Sequence, residues 1–212
     1  MIPNEEKWYK VLEERHGEIL QKKMSETTVA VCGLGGLGSA ISVILARMGI
    51  GKLILSDFDK VDISNLHRQQ YKASQIGMYK TEALKENLME IAPYLKFQTY
   101  TEKMEDTNFK RILSDADIVC EAFDNAEAKA DLVNFVLASM SDKYVIASSG
   151  MAGLGSANEI HTRKISDRFY LCGDEKSDAK DGIGIIASRV MICAAHQAHI
   201  VIEILANEIE KR

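Results

Sequence analysis

Glycines at four positions mark the first segment of the chain whose residue types suit a chemical task. The stretch VAVCGLGGLGSA, residues 29–40, passes from small apolar residues into Gly33, Gly35, Gly36 and Gly38. The first, second and fourth of these glycines have the spacing GxGxxG, which lets a backbone turn approach a phosphate while the N–H groups at a helix start attract its negative charge. The motif alone predicts a nucleotide or dinucleotide site, with NAD as the default ligand.

A second group of polar side chains follows the next predicted strand. Asp57 lies about twenty residues after the glycines, where a carboxylate can accept both ribose hydroxyls of a nucleotide. Six polar or charged side chains then follow within one loop and the start of a helix: Asp59, Asp62, Asn65, Arg68, Gln69 and Lys80. Residues of these types can neutralise a triphosphate and orient Mg²⁺ and the sugar. Hydride transfer needs no such set of charges, so this segment favours ATP over NAD.

Alternating strand and helix patterns must position these residues. They predict an α/β fold with a Rossmann-like, doubly wound, mostly parallel sheet and a small antiparallel C-terminal extension. We expect one domain over residues 1–212, with a helical segment at 1–25 and antiparallel strands, a flexible loop at Gly173–Gly184 and a closing helix within 156–212. The predicted strands are Val29–Cys32, Lys52–Ser56, Lys96–Thr101, Ile118–Glu121 and Tyr144–Ala147, and the predicted core helices are Gly36–Met48, Lys80–Ile91, Asp106–Leu113 and Ala126–Met140.

The overall composition narrows the classes of partner. A formal net charge of −5 and the lack of a long Lys/Arg block argue against nucleic acid as the primary partner. The segment MIPNEEKWYK does not resemble a signal peptide, and charged or histidine residues interrupt the apolar stretch Ile183–Leu205, so we expect no membrane span. The chain is predicted to be a soluble cytoplasmic protein that acts on small molecules and proteins.

The four cysteines form no CxxC pair, so we predict no structural zinc site. Cys32, Cys120 and Cys193 fall in predicted buried elements and are expected to be inert. Cys172 borders a polar segment and is predicted to be the accessible thiol, although an unreactive role is favoured because nothing near it lowers its pKa.

Four separated motifs in the chain resemble the ThiF/MoeB family of adenylyltransferases, which are relatives of the ubiquitin-activating enzymes. They are GLGGLGS, LSDFDKVDISNLHRQQY, IGMYK and CEAFDN, and the likeness covers residues 15–155. The remaining C-terminal part, with LEERHGEILQKKM, is most similar to a short ThiF-like subgroup tied to thiamine biosynthesis. The resemblance implies ATP-dependent activation of the C-terminal glycine of a small ubiquitin-fold protein.

The resemblance also assigns roles to particular positions. Gly36 would lie against the ATP phosphates, while Asp57 would bind the ribose. Asp124 would hold Mg²⁺ and act with three cations in catalysis. These cations are Arg15, Arg68 and Lys80. Arg68 and Lys80, together with Asn65, would contact the triphosphate, and Arg15 would reach the γ-phosphate of the ATP bound to a neighbouring subunit. Gly33, Gly35, Gly38, Asp59 and Gln69 complete the expected nucleotide site.

The leading hypothesis is an adenylyltransferase that forms an acyl adenylate on a ThiS-like sulfur carrier protein, as a homodimer, for later attack by a sulfur donor. One alternative is a tRNA-modifying, ATP-dependent dehydratase of the same fold. Others are a nucleotide-binding scaffold without catalysis and an NAD-dependent dehydrogenase. The complete set of charged residues counts against the last two.

Overall fold

The computed structural model of the protein describes residues 2–180 and 182–211. Two N-terminal helices, α1 (Glu5–His16) and α2 (Glu18–Glu26), precede strand β1 (Thr28–Cys32). The chain then alternates through α3 (Gly36–Met48), β2 (Lys52–Ser56), α4 (Lys80–Ile91), β3 (Lys96–Tyr100), α5 (Asp106–Leu113), β4 (Ile118–Glu121), α6 (Ala126–Ser139) and β5 (Tyr144–Ser148). It closes with β6 (His161–Ser166), β7 (Phe169–Gly173) and α7 (Ala187–Glu210).

The seven strands form one sheet in the order β3-β2-β1-β4-β5-β7-β6. All neighbours pair in parallel except β6 and β7, which are antiparallel. This arrangement confirms the predicted fold class. The antiparallel pair is not a separate appendage, because β7 lies directly beside β5 in parallel and continues the sheet.

Both faces of the central strands are covered, as their continuous apolar sequences require. Alternate residues of β1 point to opposite sides: Val29 and Val31 pack with α3, α4 and α7, whereas Ala30 and Cys32 pack with α5 and α6. The predicted bounds of α3, β2, α4, α5 and β4 are confirmed to the residue, and the other central elements differ by one.

Helix α7 is part of the protein core. Its length and its mean hydropathy of 1.4 would suffice to cross a membrane, but half of that apolar window is buried within the fold. The helix packs against α3 and also covers β5 and β7. A long apolar helix suits this position because it is enclosed between α3 and the strands β5 and β7.

Candidate functional site

The ends of three strands meet at the glycine turn. The Gly33 N–H donates to the Ser56 carbonyl at the end of β2 (2.8 Å), and the Ala122 N–H beyond β4 donates to the Cys32 carbonyl (2.8 Å). Strands β2 and β3 lie on one side of β1, and β4 and β5 lie on its other side, so the order in which strands are added to the sheet switches direction at β1. In open α/β sheets the crevice at such a switch point, outside the carboxyl ends of the strands, is where ligands bind.

Close packing explains two of the predicted glycines. Gly33 has φ +89°, and a Cβ there would lie 2.8 Å from the Ala122 carbonyl oxygen. A Cβ on Gly38 would collide with the carbonyl oxygen of Gly33. These positions therefore need glycine for the turn itself, whether or not a ligand is bound.

The N-terminus of α3 opens into this crevice. Its first hydrogen bond runs from the Ser39 N–H to the Gly35 carbonyl (3.0 Å), and Gly35, as N-cap, has no side chain to accept from the preceding amides. The N–H groups of Gly36, Leu37 and Gly38 thus come before the hydrogen-bonded part of the helix. Such a group of amides, at the positive end of the helix dipole, is a site for an anion.

Asp57 and Lys80 are both nearly buried beside the turn. Asp57 Oδ2 accepts from the Leu34 N–H (2.7 Å) and Oδ1 from the Asp59 N–H (2.8 Å). The Lys80 ammonium lies 2.8 Å from Asp59 Oδ2 and 3.9 Å from Asp57 Oδ2. Burial raises the pKa of Asp57, and Lys80 and the two N–H donors partly offset that rise. Asp57 therefore ties the glycine turn to the loop after β2 through its two carboxylate oxygens, and Lys80 is held beside the turn by two carboxylates.

The loop after β2 brings the other predicted ligands to the same edge. Asn65 closes a short 3-10 turn by accepting from the Asp62 N–H (3.1 Å), and Arg68 is half-buried with its guanidinium donating to the Ser64 carbonyl (3.2 Å). Gln69 is buried next to Gly35, and its side-chain oxygen has no hydrogen-bond partner among the described residues. A buried polar atom normally has a partner, so Gln69 fits a position that a bound ligand completes.

Asp124 lies on the loop between β4 and α6, on the other side of the glycine turn. Its side chain is exposed, whereas Glu121 at the end of β4 is fully buried and paired with Lys129 (2.6 Å). The sequence interpretation missed this pair; its signal was an acidic residue that ends an otherwise apolar strand. In the described part of the chain no three His, Cys, Asp or Glu side chains are arranged to hold a metal ion. A metal at Asp124 would thus need ligands from the nucleotide.

Arg15 is the predicted site residue that the fold does not bring to the glycine turn. It is exposed near the end of α1, and the adjacent His16 bonds Gln21, which donates to the carbonyl of Gly49 (3.2 Å). Gly49 follows the C-terminal end of α3, whereas the glycine turn is at the N-terminal end. The length of that helix, on the order of 20 Å, therefore separates Arg15 from the turn of its own chain.

Cys172 is buried, so the prediction of an accessible thiol is wrong. It lies on β7, an interior strand, where α7 covers it, and Cys193 Sγ is 3.5 Å from its carbonyl oxygen. Burial raises the pKa of the Cys172 thiol to about 11, partly offset by a hydrogen bond with Thr162. Cys32, Cys120 and Cys193 are buried as predicted. In the predicted flexible loop that follows β7, Asp181 lies outside the described residues.

Comparison with known proteins gives a family match over nearly the whole chain: residues 9–212 match the ThiF family. The adenylyltransferase and sulfurtransferase UBA4 of Lodderomyces elongisporus is 32% identical over 153 residues, which are 72% of this chain and 33% of that protein. The molybdopterin-synthase adenylyltransferase of Haemophilus influenzae is 37% identical over 113 residues, 53% of this chain and 46% of that protein. The chain thus spans less than half the length of these curated relatives.

Solved structures share the fold at lower identity. E. coli tRNA N6-threonylcarbamoyladenosine dehydratase, TcdA, in complex with ATP superposes with a TM-score of 0.88 over 100% of both chains at 18% identity. E. coli MccB with ATP gives a TM-score of 0.68 at 23% identity, covering 89% of this chain and 58% of that one. The complete overlap with TcdA shows that the architecture described above occurs as a whole in another protein.

Proposed function

The chain belongs to the ThiF family, and from that premise we propose that it is an ATP-dependent adenylyltransferase. Its substrate would be the C-terminal glycine carboxylate of a ThiS-like, ubiquitin-fold sulfur carrier. The observation that carries the proposal is the open N-terminus of α3 beside the buried Asp57–Lys80 pair, with the exposed Asp124 on the loop that follows the neighbouring strand β4. Relatives named molybdopterin-synthase adenylyltransferase and ubiquitin-like modifier-activating enzyme 5 support this class of activity and partner.

This set of groups suits attack by a carboxylate on a phosphate. A peptide carboxylate is already ionised at neutral pH, so its oxygen needs no general base to form a bond with the α-phosphorus of ATP. As that bond forms, the bond from the α-phosphorus to the bridging oxygen breaks, and pyrophosphate leaves with the electron pair. The protein must align the reactants and neutralise charge. The amides of Gly36 and Leu37 with Arg68 and Lys80 would do both.

The chemistry of the donors at Asp124 fits Mg²⁺. This ion is commonly held by one or two protein carboxylates together with substrate phosphates and water, which is what a single exposed carboxylate beside a phosphate site provides. When bound, Mg²⁺ would neutralise the charge that develops on the leaving pyrophosphate. Asp124 would hold the ion, and Asp59, half-exposed at the opposite side of the turn, would remain paired with Lys80.

Arg15 would act from a second subunit. Because Arg15 lies far from the glycine turn of its own chain, it would reach the triphosphate bound to a neighbouring subunit. We therefore propose a homodimer in which each α1 completes the site of the other subunit. The arginine would add positive charge at the γ-phosphate. This arrangement makes activity depend on dimer formation.

The acyl adenylate on the carrier would then react with a sulfur donor in the cytoplasm, as a step toward the thiazole of thiamine. All four cysteines of the chain are buried, which supports transfer to a nucleophile supplied by another protein rather than to a thiol of this chain.

A second candidate is a tRNA-modifying dehydratase that uses ATP to activate a carboxylate on RNA. The full-length superposition on TcdA favours it as an alternative. The net charge of −5 argues against it, because binding of tRNA depends strongly on cationic contacts to phosphates. The two candidates share the nucleotide site and differ in the acceptor.

Exchange of labelled pyrophosphate into ATP tests the proposal and separates the candidates. We expect exchange that requires Mg²⁺ and a carrier ending in Gly-Gly, and that is lost in Asp124→Ala. Exchange that requires tRNA instead would select the dehydratase. Nucleotide binding without exchange would point to a scaffold, and tight NADH binding without exchange to a dehydrogenase.

A further inference from the structure

Glu121 carries a buried charge that needs a reason. It is the last residue of β4 and is 0% exposed. Its Oε1 accepts from the Phe123 N–H (2.6 Å), and its Oε2 lies 2.6 Å from the ammonium of Lys129. Burying an ion pair costs desolvation of both charges, and apolar residues of the same size often give equal or greater stability. Stability alone is therefore a weak explanation for this pair.

The pair joins three elements at the edge of the sheet where the site lies. Lys129 belongs to α6, and besides Glu121 it donates to the hydroxyl of Ser148, the last residue of β5 (2.8 Å). The Ser148 N–H in turn faces Glu121 Oε2 (3.3 Å). The carboxyl ends of β4 and β5 and the first turns of α6 are thus fixed to one another through a single buried carboxylate.

Between these fixed points runs the loop that carries Asp124. The Phe123 amide is held by Glu121, and Asn125 caps α6 by accepting from the Ala128 N–H (2.9 Å). The Phe123 ring lies against Gly33 in the glycine turn, since a Cβ on that glycine would be 3.0 Å from the ring. Asp124 itself is exposed, so the position of its carboxylate is set by the backbone on either side rather than by its own contacts.

We propose that Glu121 and Lys129 are positioning residues that set the Asp124 carboxylate at the distance from the glycine turn that a metal-bound nucleotide requires. This inference rests on the proposed function. Groups that orient a metal ligand without touching the metal typically change metal affinity or activity by about 10–100-fold when altered. The pair therefore acts on the metal-dependent part of nucleotide binding.

Glu121→Gln is the main test, because it keeps the shape and an acceptor for Phe123 but removes the charge that holds Lys129. We expect the ATP affinity measured in EDTA to stay within about 2-fold of the wild-type affinity. The Mg²⁺ concentration that gives half of the Mg²⁺-dependent gain in ATP affinity should rise about 10-fold or more. Calorimetry measures both. Amide hydrogen exchange at Phe123, read by NMR without any nucleotide, should become faster.

Lys143→Met provides the matched control. Lys143 is also a buried lysine, but it donates to the carbonyls of Ser114 (3.1 Å) and Ala116 (2.6 Å) beside the start of β5, away from the site. It should lower the melting temperature and leave the Mg²⁺ dependence at the wild-type value. If Glu121→Gln does not fold, Ser148→Ala removes one partner of Lys129 more gently and should shift the Mg²⁺ dependence in the same direction.

A Mg²⁺ dependence in Glu121→Gln equal to that of wild type, with unchanged exchange at Phe123, would overturn the proposal. So would an equal shift in Lys143→Met, because it would mean that general destabilisation is the cause. These readouts require no acceptor. Failure of the proposed adenylation would appear separately, as wild-type protein that binds Mg²⁺ and ATP but exchanges no pyrophosphate.

Discussion

Two alanine substitutions in the glycine turn should separate its role in the fold from its role in binding ATP. At Gly33 an added Cβ would meet the Ala122 oxygen at 2.8 Å and the Phe123 ring at 3.0 Å, and φ is +89°. Crowding of a packed site costs about 1–3 kcal/mol, and the backbone conformation costs about 1–2 kcal/mol more. We expect Gly33→Ala to lose about 3 kcal/mol, which lowers the Tm of a chain of this size by about 6–12 °C.

Gly35 gives the contrasting case. Its φ is −69°, which any residue adopts, and the nearest atom to an added Cβ is Gln69 Nε2 at 3.9 Å. Alanine is a poorer N-cap than glycine, so Gly35→Ala should lose no more than about 1 kcal/mol. The methyl group would, however, occupy the space above the helix N-terminus where phosphate is proposed to bind. We expect at least a 10-fold loss of ATP affinity, a difference of about 1.4 kcal/mol.

Thermal unfolding and calorimetric titration with ATP measure the two effects independently. Wild-type ATP affinity in Gly35→Ala would refute the placement of the phosphates at this turn. An unchanged Tm in Gly33→Ala would refute the packing argument.

Three further predictions concern subunits, pH and thiols. Arg15→Ala and Asp124→Ala should each abolish pyrophosphate exchange. An equal mixture of the two variants, allowed to exchange subunits, should recover about a quarter of wild-type activity, because half of the dimers are mixed and each mixed dimer has one intact site. No recovery would place Arg15 outside the site. Burial, then repulsion from two nearby histidines, lowers the pKa of His196 below 6.5, so the neutral form is favoured in the fold. The contribution of His196 to the free energy of unfolding is therefore fully present above the pKa of the unfolded state, and it is lost as the pH falls through the pKa of the folded state. His196→Gln should make the free energy of unfolding in urea depend less on pH between about pH 8 and pH 5. Because Cys172 is buried, treatment of the native protein with a thiol-alkylating reagent should leave ATP binding unchanged, and rapid labelling with loss of binding would contradict its burial.

The sequence determined the central elements well because their ends carry strong local signals. Helix α3 begins in the glycine turn and ends at Gly49, whose left-handed conformation (φ +81°) terminates it. Helix α4 ends at Ile91, two residues before Pro93, which disfavours helix in the residue before it. Both boundaries follow from residues within a few positions of them.

Burial of Cys172 depended on information that no local pattern contains. The alternation in FYLC predicts a strand, but not that this strand lies between β5 and β6 under α7. In the same way, Glu121 and Lys129 are eight positions apart across a strand end and a helix start, and only the packing of α6 against the sheet brings their charges to 2.6 Å. Contacts of this kind are set by the tertiary arrangement.

The most direct test of the account follows the α-phosphate of ATP. The protein is incubated with ATP labelled at the α-phosphorus, Mg²⁺, a Gly-Gly-ended ubiquitin-fold carrier and unmodified as well as modified tRNA, and the label is located after separation under mildly acidic conditions. The account predicts label on the carrier, with none when the carrier lacks its last glycine or when Asp124 is replaced by alanine. Label released only as free AMP with tRNA present, or retained entirely in ATP, would contradict it.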